Sequence, residues 1–309
     1  MTTKRFGALL QREWMQHQRG WWILMATPVV VLLLVAIFGD VEITLDAEDD
    51  TSVVRTPAAV LLAMGSLGGL AICNLALAWF SSLVQSPGLA RRDLQDRSIE
   101  FWLSLPIGHA QSLGATLLTH LLLLPWLALL VGAAGGLLVS LAVVTKAWGL
   151  AAWFTLPWGA LVAGLAAMLL RLAIGLVLAT LWAAPLLLVV MAASAWLKRW
   201  GLPVVVAVVA ATGFVLDRFF DWPIVAETLE IIMRSAGRAF IGADRDGPPH
   251  LAHVADAEGA TQILRALPSW AVEDLGQALQ TMLSPVFVVG LAVAAAGFAL
   301  LVLRRSRGA

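Results

Sequence analysis

The sequence predicts an all-α membrane protein, a single domain over residues 1–309 with about six transmembrane helices. Three observations predict it. Hydrophobic residues make up 60% of the 309-residue chain. They gather into long runs, Trp21–Phe38, Ala58–Val84, Leu113–Val144, Leu172–Trp196, Val204–Leu216 and Val286–Leu303, separated by short charged patches. Within each run the apolar residues go nearly all round, with a few Ser, Thr, Asn and His among them. At ~1.5 Å per residue such runs are long enough, or nearly so, to cross ~30 Å of hydrocarbon. They are too long and too uniform for barrel strands, and a helix satisfies its own backbone groups in lipid.

Residues 1–20 precede the first run. Phe6, Leu9, Leu10 and Trp14 share one helical face, and Lys4, Arg5, Gln11, Arg12, Gln16 and Arg19 fall largely elsewhere. This predicts a basic amphipathic helix lying on the anionic inner leaflet; a plain positive flank that sets orientation is the simpler alternative, and both can hold. Phe6, Leu10 and Trp14 are its expected membrane contacts. The polar start of about 20 residues, and an apolar core longer than the usual ~7–15, make a cleavable signal peptide unexpected.

Between the second and third runs, residues 85–111 are polar. Ser86-Pro87-Gly88 reads as a turn. The stretch after it, from Leu89 to Pro106, has i,i+4 pairs Arg92/Asp96 and Asp93/Arg97 and places Leu94, Phe101, Trp102 and Leu105 on one face. A helix of that kind can lie on the bilayer or fit a groove on a soluble partner. Residues 148–170 are apolar enough to span, but Trp148, Trp153 and Trp158 recur every five residues and Pro157 interrupts them. They are expected as an outer-surface or partly re-entrant helix, with Arg171 snorkelling to the interface; an ordinary seventh span is the alternative. Residues 217–284 form an acidic outer loop, with near-helical patterns over Ile224–Phe240 and Ala260–Leu267.

The net charge is zero, yet the charges are sorted. With the N-terminus inside, six crossings place 12 of the 20 Lys/Arg and 4 of the 20 Asp/Glu on the cytoplasmic side. Lys and Arg favour cytoplasmic flanks, so both termini are expected inside, with residues 40–57 and 217–284 outside.

The residues of the second loop carry a resemblance. Asp96-Arg97-Ser98-Ile99-Glu100-Phe101-Trp102-Leu103-Ser104-Leu105-Pro106 resembles the DRS-I-x-FW-x-SLP stretch of ABC-2-type transporter permeases, the membrane subunits of bacterial ATP-binding-cassette exporters. Looser likeness extends over Leu181–Pro185, Ser194–Arg199 and the last span. His109 departs from the small polar or acidic residue common at its position. The resemblance implies a transmembrane subunit in the bacterial cytoplasmic membrane, paired with a second permease subunit. It also implies a separate ATPase that carries the ATP and Mg, so that no cofactor is bound by this chain. Arg92, Asp96, Arg97, Ser98, Phe101, Trp102, Leu105 and Pro106 are then the expected ATPase-coupling residues. No nucleic-acid partner is expected.

No G-x-x-x-x-G-K-[ST], HExxH, CxxC or G-x-S-x-G pattern occurs, so the chain is not expected to be an enzyme. The single cysteine, Cys73, allows no intramolecular disulfide. Gly65/Gly69 and Gly132/Gly136 are G-x-x-x-G pairs that suit either internal packing or a dimer face. Asn74, Thr116, Thr119 and His120 are polar groups within spans, and His120 is expected as a neutral histidine bonded to a neighbouring helix. His250, His253 and Asp256 have i, i+3, i+6 spacing, a pattern that arises easily in polar segments, and no metal is expected there. Two rivals stand beside the resemblance. An ATP-independent carrier or channel would need charged pairs inside the spans, which look almost absent. An intramembrane hydrolase built on Ser66 and His120 would need a nucleophile motif the chain lacks.

Overall fold

The computed structural model describes residues 2–39, 51–95, 108–240 and 257–307. These are 95% helical and contain no strand. In chain order the helices are α1 (Thr2–Phe38), α2 (Thr51–Gln95), α3 (His109–Leu118), a π-helical turn (Thr119–Leu123), α4 (Leu124–Trp148), α5 (Leu150–Phe154), α6 (Trp158–Leu197), a 3-10 turn (Lys198–Trp200), α7 (Gly201–Phe220), α8 (Ile224–Phe240), α9 (Ala257–Thr281) and α10 (Pro285–Arg307). Five stretches are long and apolar enough to cross a membrane: Arg5–Phe38, Ala58–Ala90, His109–Trp148, Trp158–Phe220 and Pro285–Arg307. This is the pattern of a multi-pass membrane protein. α7 shows why: of its 20 residues only Gly201 is buried, and it presents Val204, Val206, Val208 and Phe214 outward. Such a surface suits hydrocarbon and not water.

Two expected breaks are absent. Residues 4–19 continue into the first span as one helix, Thr2–Phe38, instead of lying apart from it. Likewise Ser86-Pro87-Gly88 is no turn, because α2 runs through it to Gln95. Pro87 has no N–H for the carbonyl of Leu83, four residues back, and the Ser86 hydroxyl donates to that oxygen at 2.7 Å. The lost hydrogen bond is thereby replaced and the helix survives its proline. Arg92 lies on this last part of α2.

The region 148–170 divides into a short helix and the start of a long one that leads into the next apolar stretch. Gly149, at φ +87°, ends α4 and starts the short α5. After Pro157, α6 then runs unbroken for 40 residues, about 60 Å at ~1.5 Å each. Its first turns, with Trp153 and Leu156, pack on Ala59, Val60 and Ala63 of α2 and Leu264 of α9. Its last turns, Leu187 to Ala195, pack on Leu113, Leu83 and Leu301. The C-terminal ends of α2, α6 and α10 therefore converge. Arg304 stacks over Trp196 at 5.5 Å as part of that convergence. From α6 the chain reverses within three residues, Lys198 adopting φ +55°. The hairpin is tight: a Cβ on Gly201 would stand 2.4 Å from the Ser194 Cα.

α2 and α4 form the central pair. Gly132 and Gly136 lie against backbone, where a Cβ would meet the Leu70 and Ser66 carbonyl oxygens at 2.6 and 2.5 Å. That G-x-x-x-G pair serves packing within the chain. Gly65 and Gly69 are exposed, with no atom within 4 Å of an added Cβ. Lys146, near the end of α4, donates to the carbonyls of Ile37 and Gly39 and so caps α1. The acidic loop holds the expected helix Ile224–Phe240 and a second one, Ala257–Thr281, longer than its pattern suggested.

Candidate functional site

Two buried ionic clusters stand inside this apolar frame. The first joins α1 to the α3–α4 region. On α1, Arg12, Glu13 and His17 fall within one and a half turns, Glu13 and His17 being i,i+4 neighbours on the same face. Opposite them Thr116 of α3 and His120 of the π turn have the same spacing. The π turn arises at Pro125, which lacks an N–H: the ladder shifts register, and Leu124 N–H bonds Thr119 O five residues back.

Glu13 is wholly buried and His120 is 1% exposed. The Glu13 Oε1 accepts from Arg12 Nη2 and from Thr116 Oγ1, the latter at 3.1 Å. Its Oε2 lies 3.5 Å from His120 Nε2, which has no hydrogen-bond partner among the described residues. His17 Nδ1 lies 3.1 Å from the Glu13 carbonyl oxygen. Trp21 closes the group, stacked on His17 with centroids 5.3 Å apart and set edge-on to His120 at 5.3 Å. The two imidazoles are themselves 5.0 Å apart and nearly perpendicular. A carboxylate taken out of water costs several kcal/mol unless paired, and here Arg12 and Thr116 supply the pairing.

The second cluster ties the acidic loop to α6. Arg171 Nε donates to Asp274 Oδ2 of α9 at 2.7 Å, and Nη1 donates to the Ala239 carbonyl of α8 at 2.7 Å. Arg171 is 1% exposed, so the expectation that it snorkels is corrected. The physical reason is that α8 and α9 fold back along α6 and bring it a carboxylate and a carbonyl, which replace water as its partners. Gly175 makes room for this approach, since a Cβ there would lie 2.4 Å from Ala239 O.

The expectation that charged pairs are almost absent from the apolar stretches is corrected by the first cluster, whose Glu13 and His120 both fall within such stretches. Asp274, by contrast, lies on α9, outside them. Glu13 carried a readable signal: it is the sole acidic residue among the first 39, four before a histidine and eight before Trp21. Asp274 carried none, being one of many acidic residues in its loop.

Of the expected interfacial residues, Phe6, Leu10 and Trp14 are half-buried, and Trp14 packs into the bundle against Trp21 at 5.6 Å. That face turns partly toward protein instead of wholly toward lipid. Asp96, Arg97, Ser98, Phe101, Trp102, Leu105 and Pro106 lie outside the described residues, as do His250, His253 and Asp256. Asn74 donates to the Met25 carbonyl at 3.1 Å, linking α2 to α1. Ser66 donates to Leu62 O within its own helix. No family model, no curated protein and no solved structure matches the chain.

Proposed function

We propose that the chain is the transmembrane subunit of an ATP-binding-cassette transporter working as an exporter, in the bacterial cytoplasmic membrane with both termini inside. The observation that carries this reading is the segment from Asp96 to Pro106, with its resemblance to the coupling stretch of ABC-2-type permeases, placed directly after α2. In this reading the segment docks on a separate ATPase subunit that binds ATP and Mg, and a second permease subunit completes the substrate path. Closure of the ATPase pair displaces the segment. Because α2 is continuous to Gln95, that displacement reaches Thr51 and, through Gly132 and Gly136, α4. The stretch Trp158–Phe220 crosses twice in this reading, α6 out to in and α7 back, which gives six crossings. The convergence of the C-terminal ends of α2, α6 and α10 supports it, since one cytoplasmic face then collects their basic residues.

A second reading has an observation of its own. Buried Glu13 with Arg12 and His120, and Arg171 with Asp274, are the intramembrane ionisable groups an ion-coupled carrier would use. Reconstitution into liposomes separates the two. Transport that requires the co-purified ATPase and ATP is expected; transport by the chain alone, driven by a proton or sodium gradient, would promote the carrier.

A further inference from the structure

We propose that Glu13, His17 and His120 bind a divalent transition-metal ion, with zinc the best match, at the junction of α1 and the π-helical turn. The proposal is independent of the transport reading, since it rests on these side chains alone. One ligand atom from each residue lies within 4.8 Å of the other two, so a single ion can reach all three.

The gap between His120 and Glu13 is that of two metal ligands more than of hydrogen-bond partners. His120 Nε2 and Glu13 Oε2 are 3.5 Å apart. A hydrogen bond between them would be ~2.7–3.2 Å. A tetrahedral ion with bonds of ~2.0–2.1 Å holds its ligand atoms about 3.3 Å from one another, close to the gap seen here. His120 Nε2 is buried, without a hydrogen-bond partner, and turned toward that carboxylate oxygen. A buried ring nitrogen left without a hydrogen bond is unfavourable, and an ion bound to it would offset that loss.

The outer groups are set as a ligand site needs them. Arg12 and Thr116 hold Glu13 Oε1 and so aim Oε2 at His120. The Glu13 carbonyl anchors Nδ1 of His17, and a proton on Nδ1 leaves the lone pair on Nε2, the usual arrangement of a ligating imidazole. Two imidazoles and one carboxylate suit zinc and its neighbours; magnesium and calcium want more oxygens, and copper(I) wants sulfur. Three protein ligands leave a position for water or an incoming ligand. A groove bordered by Leu10, Trp14, Trp21, Thr119 and Leu124 lies nearby, separated from the ligand atoms by Trp21 and Thr119. An ion here would fasten α1 to the α3–α4 region.

The test uses the full chain in detergent, purified without a histidine tag and carrying His250→Ala and His253→Ala, so that those two histidines contribute nothing. Cobalt(II) titration should give the visible absorption of a four-coordinate site, saturating at one ion per chain and abolished by zinc. Zinc affinity by equilibrium dialysis should fall at least about tenfold in each of Glu13→Gln, His17→Gln and His120→Asn. Absence of the cobalt absorption overturns the proposal, and so does zinc affinity unchanged in His17→Gln. His17 is half-buried, so that variant and the cobalt spectrum decide the matter even where Glu13→Gln or His120→Asn fails to fold.

Discussion

Arg171 and Asp274 are 103 residues apart in sequence and share a 2.7 Å hydrogen bond in the interior. The same guanidinium holds Ala239, so one side chain of α6 anchors both helices of the acidic loop. Truncating one member of such a pair leaves the other charge buried alone, at a cost of about 3–5 kcal/mol. Arg171→Met or Asp274→Asn is therefore expected to lower the unfolding midpoint in detergent sharply. The pair Arg171→Met with Asp274→Leu should recover most of the loss. Equal loss in single and double variants would show that Arg171 matters for its shape and not its charge.

The two G-x-x-x-G pairs should respond in opposite senses. Ala at Gly136 places a Cβ 2.5 Å from a backbone oxygen of α2. Overpacking of that kind costs about 1–3 kcal/mol. Ala at Gly69 meets nothing within 4 Å and should be neutral or stabilising by about 0.4–1 kcal/mol. Thermal unfolding of the purified variants checks both. A loss of dimer in Gly69→Ala without a loss of stability would give that exposed face to a second copy.

Topology is checked by cysteine labelling on a Cys73→Ser background. Cysteines at positions 2 and 306 are expected to react only from the cytoplasm and one at position 250 only from outside. The sorting of 12 against 8 basic residues motivates this. Labelling of position 250 from the cytoplasm alone would invert the arrangement.

Phe101 and Trp102 are expected to anchor the ATPase. Aromatic anchors in such interfaces typically lose ~2 kcal/mol or more on truncation. Phe101→Ala with Trp102→Ala should leave insertion intact and reduce ATPase pull-down at least about tenfold. Full pull-down would mean that this segment does not dock on the ATPase.

Helical class, apolar stretches and the helix Ile224–Phe240 were legible because each is written locally, in runs and periods. Breaks were less legible. A proline reads as a stop until a neighbour supplies the missing donor, and Ser86 does so only through the rotamer that points its hydroxyl at Leu83. The ionic clusters were hidden for a different reason. Arg171 looks alone in an apolar stretch and Glu13 has only its neighbour Arg12 in view, whereas His120 and Asp274 arrive from helices about 100 residues away. Pairing at that distance is a property of packing, and no local pattern carries it.

The clasp of Gly132 and Gly136 on α2 falls at Ser66–Ala71, well short of the middle of a 45-residue rod. In the transport reading, a stiff rod gripped there rocks about the grip and carries with it the contacts its two ends make on α6. Its short arm, toward Thr51, is about two-thirds the length of the arm toward Gln95, at ~1.5 Å per residue. A sideways push at Gln95 then returns at Thr51 in the opposite direction, reduced to about two-thirds. In that reading α2 acts as a seesaw with its fulcrum built from two missing side chains, and widening that fulcrum by one methyl group would stiffen or jam it.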